Sequence, residues 1–350
     1  LKNKTKNILS LNFDQISHWL INRGEKEFRA KQLWPWLWAK RVKDFSLMTN
    51  LSKPLRKILA QNFCIKWPEV RDIKESKDGT VKFLLALEDE KLIETVLIPE
   101  KDHYTQCLSS QVGCSLACTF CSTGQMGFKR NMYSHEIAAQ ILVAQDYLQK
   151  KNSPKHLTNL VFMGMGEPLL NWKEVREALQ IINHPLGLNF SRRKITLSTV
   201  GIKGVLQDFG QSKLALLAVS LHAPTQELRE KIMPKAARWD LNELVSVLAE
   251  YPLARRERIT IEYVLLGGVN DTPEHARQLV RLLSRVKCKI NLIAYNPGPD
   301  SKYRAPEKKD ILKFEQILWS KGMTAILRKS KGQDISAACG QLIVMSKLNS

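Results

Sequence analysis

No apolar run in this sequence approaches the roughly 20 residues that a helix needs to cross a bilayer; stretches such as Leu214–Val219 fall far short. Residues 1–14 carry lysines but lack the apolar core of a secretory signal. No repeat period and no low-complexity tract is visible. With 17 glycines in 350 residues and 44% hydrophobic content, a collagen-like or disordered chain is excluded. Cysteine is sparse and odd in number, seven in all, which disfavours a disulfide framework. Acidic residues are in deficit, 34 against 54 basic ones, for a formal net charge of +20. A soluble, cytoplasmic, monomeric protein is expected, with no membrane partner. The length suggests two domains, or one large α/β domain with an appendage, and the charge suggests a polyanionic partner.

The positive excess is not spread evenly. Residues 1–66 hold 14 basic and 4 acidic residues, and 301–350 hold 10 and 4. The span 67–300 is nearly balanced, with 30 and 26. A balanced body with basic ends reads as a catalytic unit carrying binding surfaces.

The first 66 residues read as helices, with a 3–4 stripe of Ala30, Leu33, Trp34, Leu37 and Trp38. Five of the eight tryptophans lie in 19–67, and most are expected in the core. Alternating runs at Glu69–Ile73, Val81–Leu87 and Leu92–Ile98, with a turn at Lys77-Asp78-Gly79, predict a small antiparallel sheet. From about residue 104 strand-like runs alternate with amphipathic helices. The strands are Gln106–Ser110, Leu160–Met163, Lys194–Thr199, Leu216–Leu221, Ile259–Leu266 and Lys289–Ala294. The helices include His135–Leu148, Lys173–Ile182, Leu241–Leu248 and Pro273–Leu283. This pattern predicts a parallel sheet curling into a partial barrel of six β/α units, with chemistry at the C-terminal strand ends. The expected domains are a helical accessory unit (1–66), an antiparallel extension (67–103) and the barrel with a C-terminal loop (104–350).

Cys114, Cys118 and Cys121 form C-x3-C-x2-C in a loop after a strand. Three thiolates so close need a metal to take up their charge. Structural zinc wants four ligands, and no fourth lies nearby, His103 being upstream at the other end of the strand. A cubane iron–sulfur cluster on three cysteines keeps one iron open. An open iron can chelate the amino and carboxylate groups of S-adenosylmethionine (SAM), and electron transfer then cleaves the sulfonium to a 5′-deoxyadenosyl radical.

This spacing, with Phe120 before the last cysteine, resembles the radical-SAM superfamily. The resemblance implies that Gly166 and Glu167 in Gly-Met-Gly-Glu-Pro, Ser198, the run Ser220-Leu221-His222, and Asn296 contact SAM. Cys107-Leu-Ser-Ser-Gln-Val-Gly-Cys114, Cys121-Ser-Thr-Gly-Gln-Met-Gly-Phe128, Gly268-Val-Asn-Asp271 and Asp334-Ile-Ser-Ala-Ala-Cys-Gly-Gln341 narrow it. The whole chain resembles the adenine-C2 RNA methyltransferases of the RlmN type. That resemblance implies ribosomal RNA as substrate, transfer RNA as a further one, and an electron donor such as flavodoxin or ferredoxin. It implies that Cys339 carries a methyl group taken from one SAM, and that a second SAM yields the radical activating it for addition to C2. It assigns Cys107 to resolving the RNA–protein adduct, ending in a disulfide with Cys339, and Glu94 to accepting the C2 proton. On residue type alone Glu94 reads as a solvated strand carboxylate. Met165 is open between a radical-path role and a core or turn role. Cys64 and Cys288 read as small buried hydrophobes.

A related subfamily methylates adenine C8. Its pattern departs after the third cluster cysteine and after Gly166-Glu167, where this chain has Ser122-Thr123-Gly124 and Pro168, and these favour C2. A metal-stabilised RNA-binding module without catalysis would explain the charge and the cysteine cluster but not Cys107, Cys339 or the ordered strand-end residues.

Overall fold

The computed structural model describes residues 5–298 and 301–342. The parts of the expected domains that fall on 1–4, 299–300 and 343–350 lie outside the described residues.

The N-terminal unit closes on itself through a short parallel pair, β1 (Lys6–Asn7) with β2 (Phe63–Cys64). Between them lie α1 (Phe13–Ile21), α2 (Phe28–Trp38) and α3 (Lys53–Asn62). Asn12 opens α1 with a reciprocal capping box to Gln15, and the Ser52 side chain caps α3 ahead of Pro54. The α2 stripe is buried as its spacing predicts. It does not form a separate core. Trp34 packs on Phe13 (5.6 Å between centroids) and on His184 of the barrel (5.1 Å), and one continuous apolar cluster runs through both parts. Of the five early tryptophans, Trp34 and Trp38 are fully buried. Trp19, Trp36 and Trp67 are half-buried, each with a cation on its face: Arg23, Lys40 and Lys43.

Next come β3 (Glu69–Glu75), β4 (Val81–Ala86) and β5 (Leu92–Pro99), antiparallel as expected. They also continue the main sheet, because β5 pairs antiparallel with the first barrel strand, β6 (His103–Cys107). Two short strands, β7 (Gln111–Gly113) and β8 (Phe128–Asn131), flank the short helix α4 (Ser122–Gln125). The barrel then proceeds through α5 (Ser134–Lys150), β9 (His156–Phe162), α6 (Trp172–Asn183), β10 (Ile195–Thr199), α7 (Val205–Ser212) and β11 (Leu216–Ser220). It continues through α8 (Gln226–Ile232), α9 (Leu241–Ala249), β12 (Ile259–Leu265), α10 (Pro273–Leu283), β13 (Cys288–Ala294), α11 (Lys308–Ser320) and β14 (Ala325–Arg328).

The ten-stranded sheet runs β14-β13-β12-β11-β10-β9-β6-β5-β4-β3. From β14 to β6 all neighbours are parallel, so six β/α units lead to a seventh parallel strand that the sequence pattern does not announce. β14 has four residues, three of them exposed, and its apolar run, Ala325-Ile326-Leu327, is too short to stand out. A second correction concerns Gln106–Ser110: β6 stops at Cys107, and Leu108–Ser110 form a loop bonded to Val161 and Met165.

Trp34→Ala is expected to destabilise the whole protein by about 3–5 kcal/mol, the usual cost of emptying an aromatic core site. Equilibrium urea unfolding followed by barrel-region fluorescence checks it. An unchanged barrel transition would mean that the N-terminal unit folds apart.

Candidate active site

Alternation along the strands sets the inner wall. Tyr263 of β12 packs outward on Phe314 of α11 (5.3 Å), so its neighbour Glu262 faces the barrel interior. Register aligns Ser220, Glu262 and Asn291 across β11, β12 and β13. Ser198, in register with Ala218, reaches this row by its side chain, its Oγ 3.1 Å from the Ser220 Oγ. Asn291 Nδ2 donates to Glu262 Oε1 at 2.9 Å. Burial pushes the Glu262 carboxyl up to about 6, against the pull of Asn291, Arg328 and Lys289. Glu262 and Asn291 had no motif to announce them, since their signal is the register.

The three motif cysteines lie on one loop at the open end of the barrel. Cys114 follows β7, the Cys121 N–H donates to the Cys118 carbonyl (3.1 Å), and Cys121 precedes α4. Burial raises all three thiols. Charge on Cys121 further raises Cys114, and charges on Cys121 and Cys114 further raise Cys118. Such a set becomes thiolate only when a cation neutralises it. Among the described residues no three His, Cys, Asp or Glu side chains converge as ligands of a single ion. Three such thiols on one loop, each needing a cation beside it to ionise, are a donor set that fits an iron–sulfur cluster.

His222 lies two residues beyond β11 with a left-handed backbone (φ 58°). Its Nδ1 accepts from the Val264 N–H (3.1 Å), and Asn270 Nδ2 holds its carbonyl (2.8 Å). Burial, reinforced by Arg229, pushes the imidazole down to about 3, so it is neutral with its proton on Nε2. The ring meets Phe120 edge-on at 5.2 Å.

The glycine motif is a close-approach device. Gly166 has φ 99°, and a Cβ there would lie 2.5 Å from the Gln111 Cβ; one at Gly164 would lie 2.7 Å from the Leu108 carbonyl oxygen. Glu167 is buried, and its carboxylate accepts from Leu169 N (2.9 Å) and Val200 N (2.9 Å). Burial pushes it up to about 6. The Glu167 carboxylate thus braces the loop expected to contact SAM, with one backbone donor on each oxygen and further acceptor sites left over. Met165 is buried. Its Sδ accepts from the Glu94 N–H at 3.2 Å, and its carbonyl accepts from Ser110 N, which is a turn-bracing role.

Glu94 is buried, not solvated. It pairs with Lys82 Nζ at 2.9 Å, both side chains being under a tenth exposed. Lys82, which no sequence motif marks, also donates to the Ser336 carbonyl (3.1 Å) in the loop that carries Cys339. That loop is strapped down on both sides. Ser76 Oγ donates to Asp334 (2.6 Å) and Gly332 N to Asp78 (2.9 Å); Ser122 N donates to the Gly340 carbonyl (2.7 Å), Thr123 Oγ1 to that of Leu342 (2.6 Å) and Gln341 Nε2 to that of Asn296 (3.2 Å). Cys339 is solvent-accessible at the barrel mouth, yet the protein around it, with Glu262 second, pushes its thiol up to about 11. Cys107, at the end of β6, is buried. Burial raises its thiol, and Cys339 raises it further, so the two sulfurs are within electrostatic reach. Both are free thiols.

A cysteine loop at the C-terminal end of a parallel partial barrel, above a polar inner wall, defines a radical-SAM enzyme, and residues 108–283 match the radical SAM superfamily. Residues 6–65 match the ribosomal RNA large subunit methyltransferase N-terminal domain. A dual-specificity RNA methyltransferase RlmN from Nitratidesulfovibrio vulgaris is 58% identical, covering 96% of this chain and 93% of the relative; one from Oleidesulfovibrio alaskensis is also 58% identical, over 96% and 95%. The crystal structure of a radical SAM methyltransferase from Sphaerobacter thermophilus superposes with a TM-score of 0.90 at 37% identity, over 96% of this chain and 99% of that one. The chain belongs to the RlmN family of dual-specificity RNA methyltransferases. Among the described residues no helix is long and apolar enough to cross a membrane.

Glu262 has a checkable pH signature. Its folded pKa lies above the ordinary 4.5, so ionising it costs the fold. The cost is absent below pH 4.5, grows towards pH 6 and is complete above it. Glu262→Gln, which can still accept from Asn291, is expected to stabilise the metal-free protein by about 2 kcal/mol at pH 7.5 and by nothing at pH 4.5. Urea unfolding at the two pH values measures it.

Proposed function

We propose that this enzyme methylates C2 of an adenosine in large-subunit ribosomal RNA and C2 of the adenosine 3′ of the anticodon in transfer RNAs, using Cys339 as methyl carrier. What supports this most is the gathering of two further thiols, Cys339 and Cys107, at the cysteine-loop mouth beside a buried acid, Glu94. Adenine C2 is electron-poor and does not attack a methyl sulfonium, so a one-step polar transfer is closed. Covalent catalysis divides the problem.

Cys114, Cys118 and Cys121 would hold a 4Fe–4S cluster. The backbone at Gly166-Glu167, with Ser198, Ser220, Leu221, His222 and Asn296, would hold SAM. When bound and reduced by an external donor of the flavodoxin or ferredoxin kind, the pair supplies a hydrogen-abstracting radical. The S-methyl group of Cys339 loses a hydrogen and its carbon bonds to C2. One electron would return from the adduct to the redox centre that supplied it, and Glu94, ion-paired with Lys82, takes the C2 proton. The Cys107 thiol then gives up its proton as its sulfur bonds to the Cys339 sulfur; the carbon–sulfur bond breaks, a proton completes the methyl group on the released base, and a disulfide remains that a thiol reductant must open. Ser122 and Thr123, which favour C2 over C8, act on this geometry directly, since they hold the carbonyls of Gly340 and Leu342.

Mass spectrometry of nucleosides after reaction tests the reading: 2-methyladenosine is expected from both RNA classes, and 8-methyladenosine would overturn it. Cys339→Ala is expected to abolish methylation while retaining the cluster's brown absorbance. Turnover at the wild-type rate would remove Cys339 from the chemistry. Cys107→Ala is expected to stall after carbon addition. A denaturant-resistant RNA–protein band should accumulate on gels, and release of fully methylated RNA would count against the assignment.

A further inference from the structure

Helix α8 buries one arginine completely. Arg229 has no accessible surface, Nη1 donates to the Leu221 carbonyl (3.0 Å) and Nη2 to the Val200 carbonyl (2.7 Å). Both acceptors are neutral, and Nε has no partner. Among the described residues no carboxylate pairs with it, and Cys118 is the group whose negative charge acts on it. Burial lowers its pKa only to about 10, so it remains a cation. A buried charge without a counter-charge is strongly unfavourable and rarely persists without a partner.

The surroundings indicate where that partner lies. Thr119, between the second and third cluster cysteines, donates through N (2.9 Å) and Oγ1 (3.2 Å) to the carbonyl of Ile232, the last residue of α8. Cys114 and Leu116 share a small apolar cluster with Val200, Ile232 and Val264. His222, which meets Phe120 of the same loop, also feels Arg229. Full cover from protein keeps the guanidinium off any ligand in the open barrel, so it does not bind SAM. Its charge is directed at the cysteine loop through a dry interior, where screening is weakest.

We propose that Arg229 is a positioning residue of electrostatic kind: the fixed cation that compensates the anionic iron–sulfur cluster and raises its reduction potential. One electron enters the cluster from a low-potential donor and adds negative charge to an already anionic assembly. A buried cation nearby favours that reduced state over the oxidised one, as net charge and burial do for such clusters generally. The inference rests on the reading that Cys114, Cys118 and Cys121 hold a 4Fe–4S cluster.

The test uses full-length protein reconstituted anaerobically, titrated with dithionite without SAM, with the reduced cluster followed by electron paramagnetic resonance. Arg229→Lys keeps the charge, Arg229→Gln removes it while keeping a donor, and Arg229→Met removes both charge and donor while filling much of the space. The Lys variant is expected near the wild-type midpoint. Gln and Met are expected to show a reduced-to-oxidised ratio at least tenfold lower at that midpoint, about 59 mV more negative for one electron. Loss of the cluster in both neutral variants but not in Lys supports the same role. A neutral variant with full iron content at the wild-type potential overturns it, as does equal cluster loss in all three. Failure of the wild type to bind iron would instead defeat the underlying cluster reading.

Discussion

A buried ammonium–carboxylate pair, Lys82 with Glu94, ties the neighbouring strands β4 and β5 to a loop 254 positions further along the chain. Lys82 lies on β4 and Glu94 on β5, and the same Nζ reaches the Ser336 carbonyl in the C-terminal loop. Taking both charges out of water is costly, and the cost is met only while both partners hold their geometry. A polar network beneath fixes that geometry. The Ser109 hydroxyl donates to the Glu94 carbonyl and accepts from Met165 N; Gln140 brackets Ser109 from both sides; Thr95 holds the Cys107 carbonyl. The strand end carrying Cys107, the strand carrying Glu94 and the loop carrying Cys339 thus share one set of constraints. Because every buried member of the network is needed by another, a change at one site is felt at all three.

The loop itself is held differently. Its described hydrogen bonds to the rest of the protein fall at Gly332, Asp334, Ser336 and Gly340–Leu342, on either side of Cys339. Each such bond contributes only about 1 kcal/mol net. A strap tied at both ends by individually weak bonds suits a sulfur that must meet two different reactants in turn. Gly332, Ser336 and Gly340 all have positive φ, so the path between the ties is tightly folded.

How legible this was depended on the kind of signal. The α2 stripe and the boundaries of α10 could be read because apolar spacing dictates helix faces, and Thr272-Pro273 marks a start. The cysteine triplet could be read because thiols set so close together repel as thiolates unless a metal centre binds them. The burial of Lys82, Glu94, Glu262 and Arg229 could not be read. A charged residue is buried only when a partner waits, and those partners come from other strands, loops or a bound group. Glu167 shows the opposite limit. Its motif marks a ligand site, but nothing in the motif shows that its carboxylate also ties down Leu169 and Val200, donors that only the folded loop brings to it. β14 was missed because its pairing with β13, rather than its own composition, makes it a strand.

The uneven charge that first suggested a polyanion also acquires a second function. In the N-terminal unit, Arg23, Lys40 and Lys43 lie on tryptophan faces, leaving their charged ends at the surface where phosphates can be met. The C-terminal excess is used at closer range. Arg328, at the end of β14, lowers the cost of ionising both Glu262 and Cys339, drawing them back towards their charged forms against burial. Arg229, inside the nearly balanced middle, is the counterpart on the cluster side. Surface cations are screened within about a Debye length and act as a general attraction; Arg229 is buried and acts on its near neighbours, Cys118 and His222. A net charge summed along the sequence cannot separate these uses. The near-neutral body is where individual charges matter most, because Lys82, Glu94, Glu262 and Arg229 are buried there and act with little water to screen them.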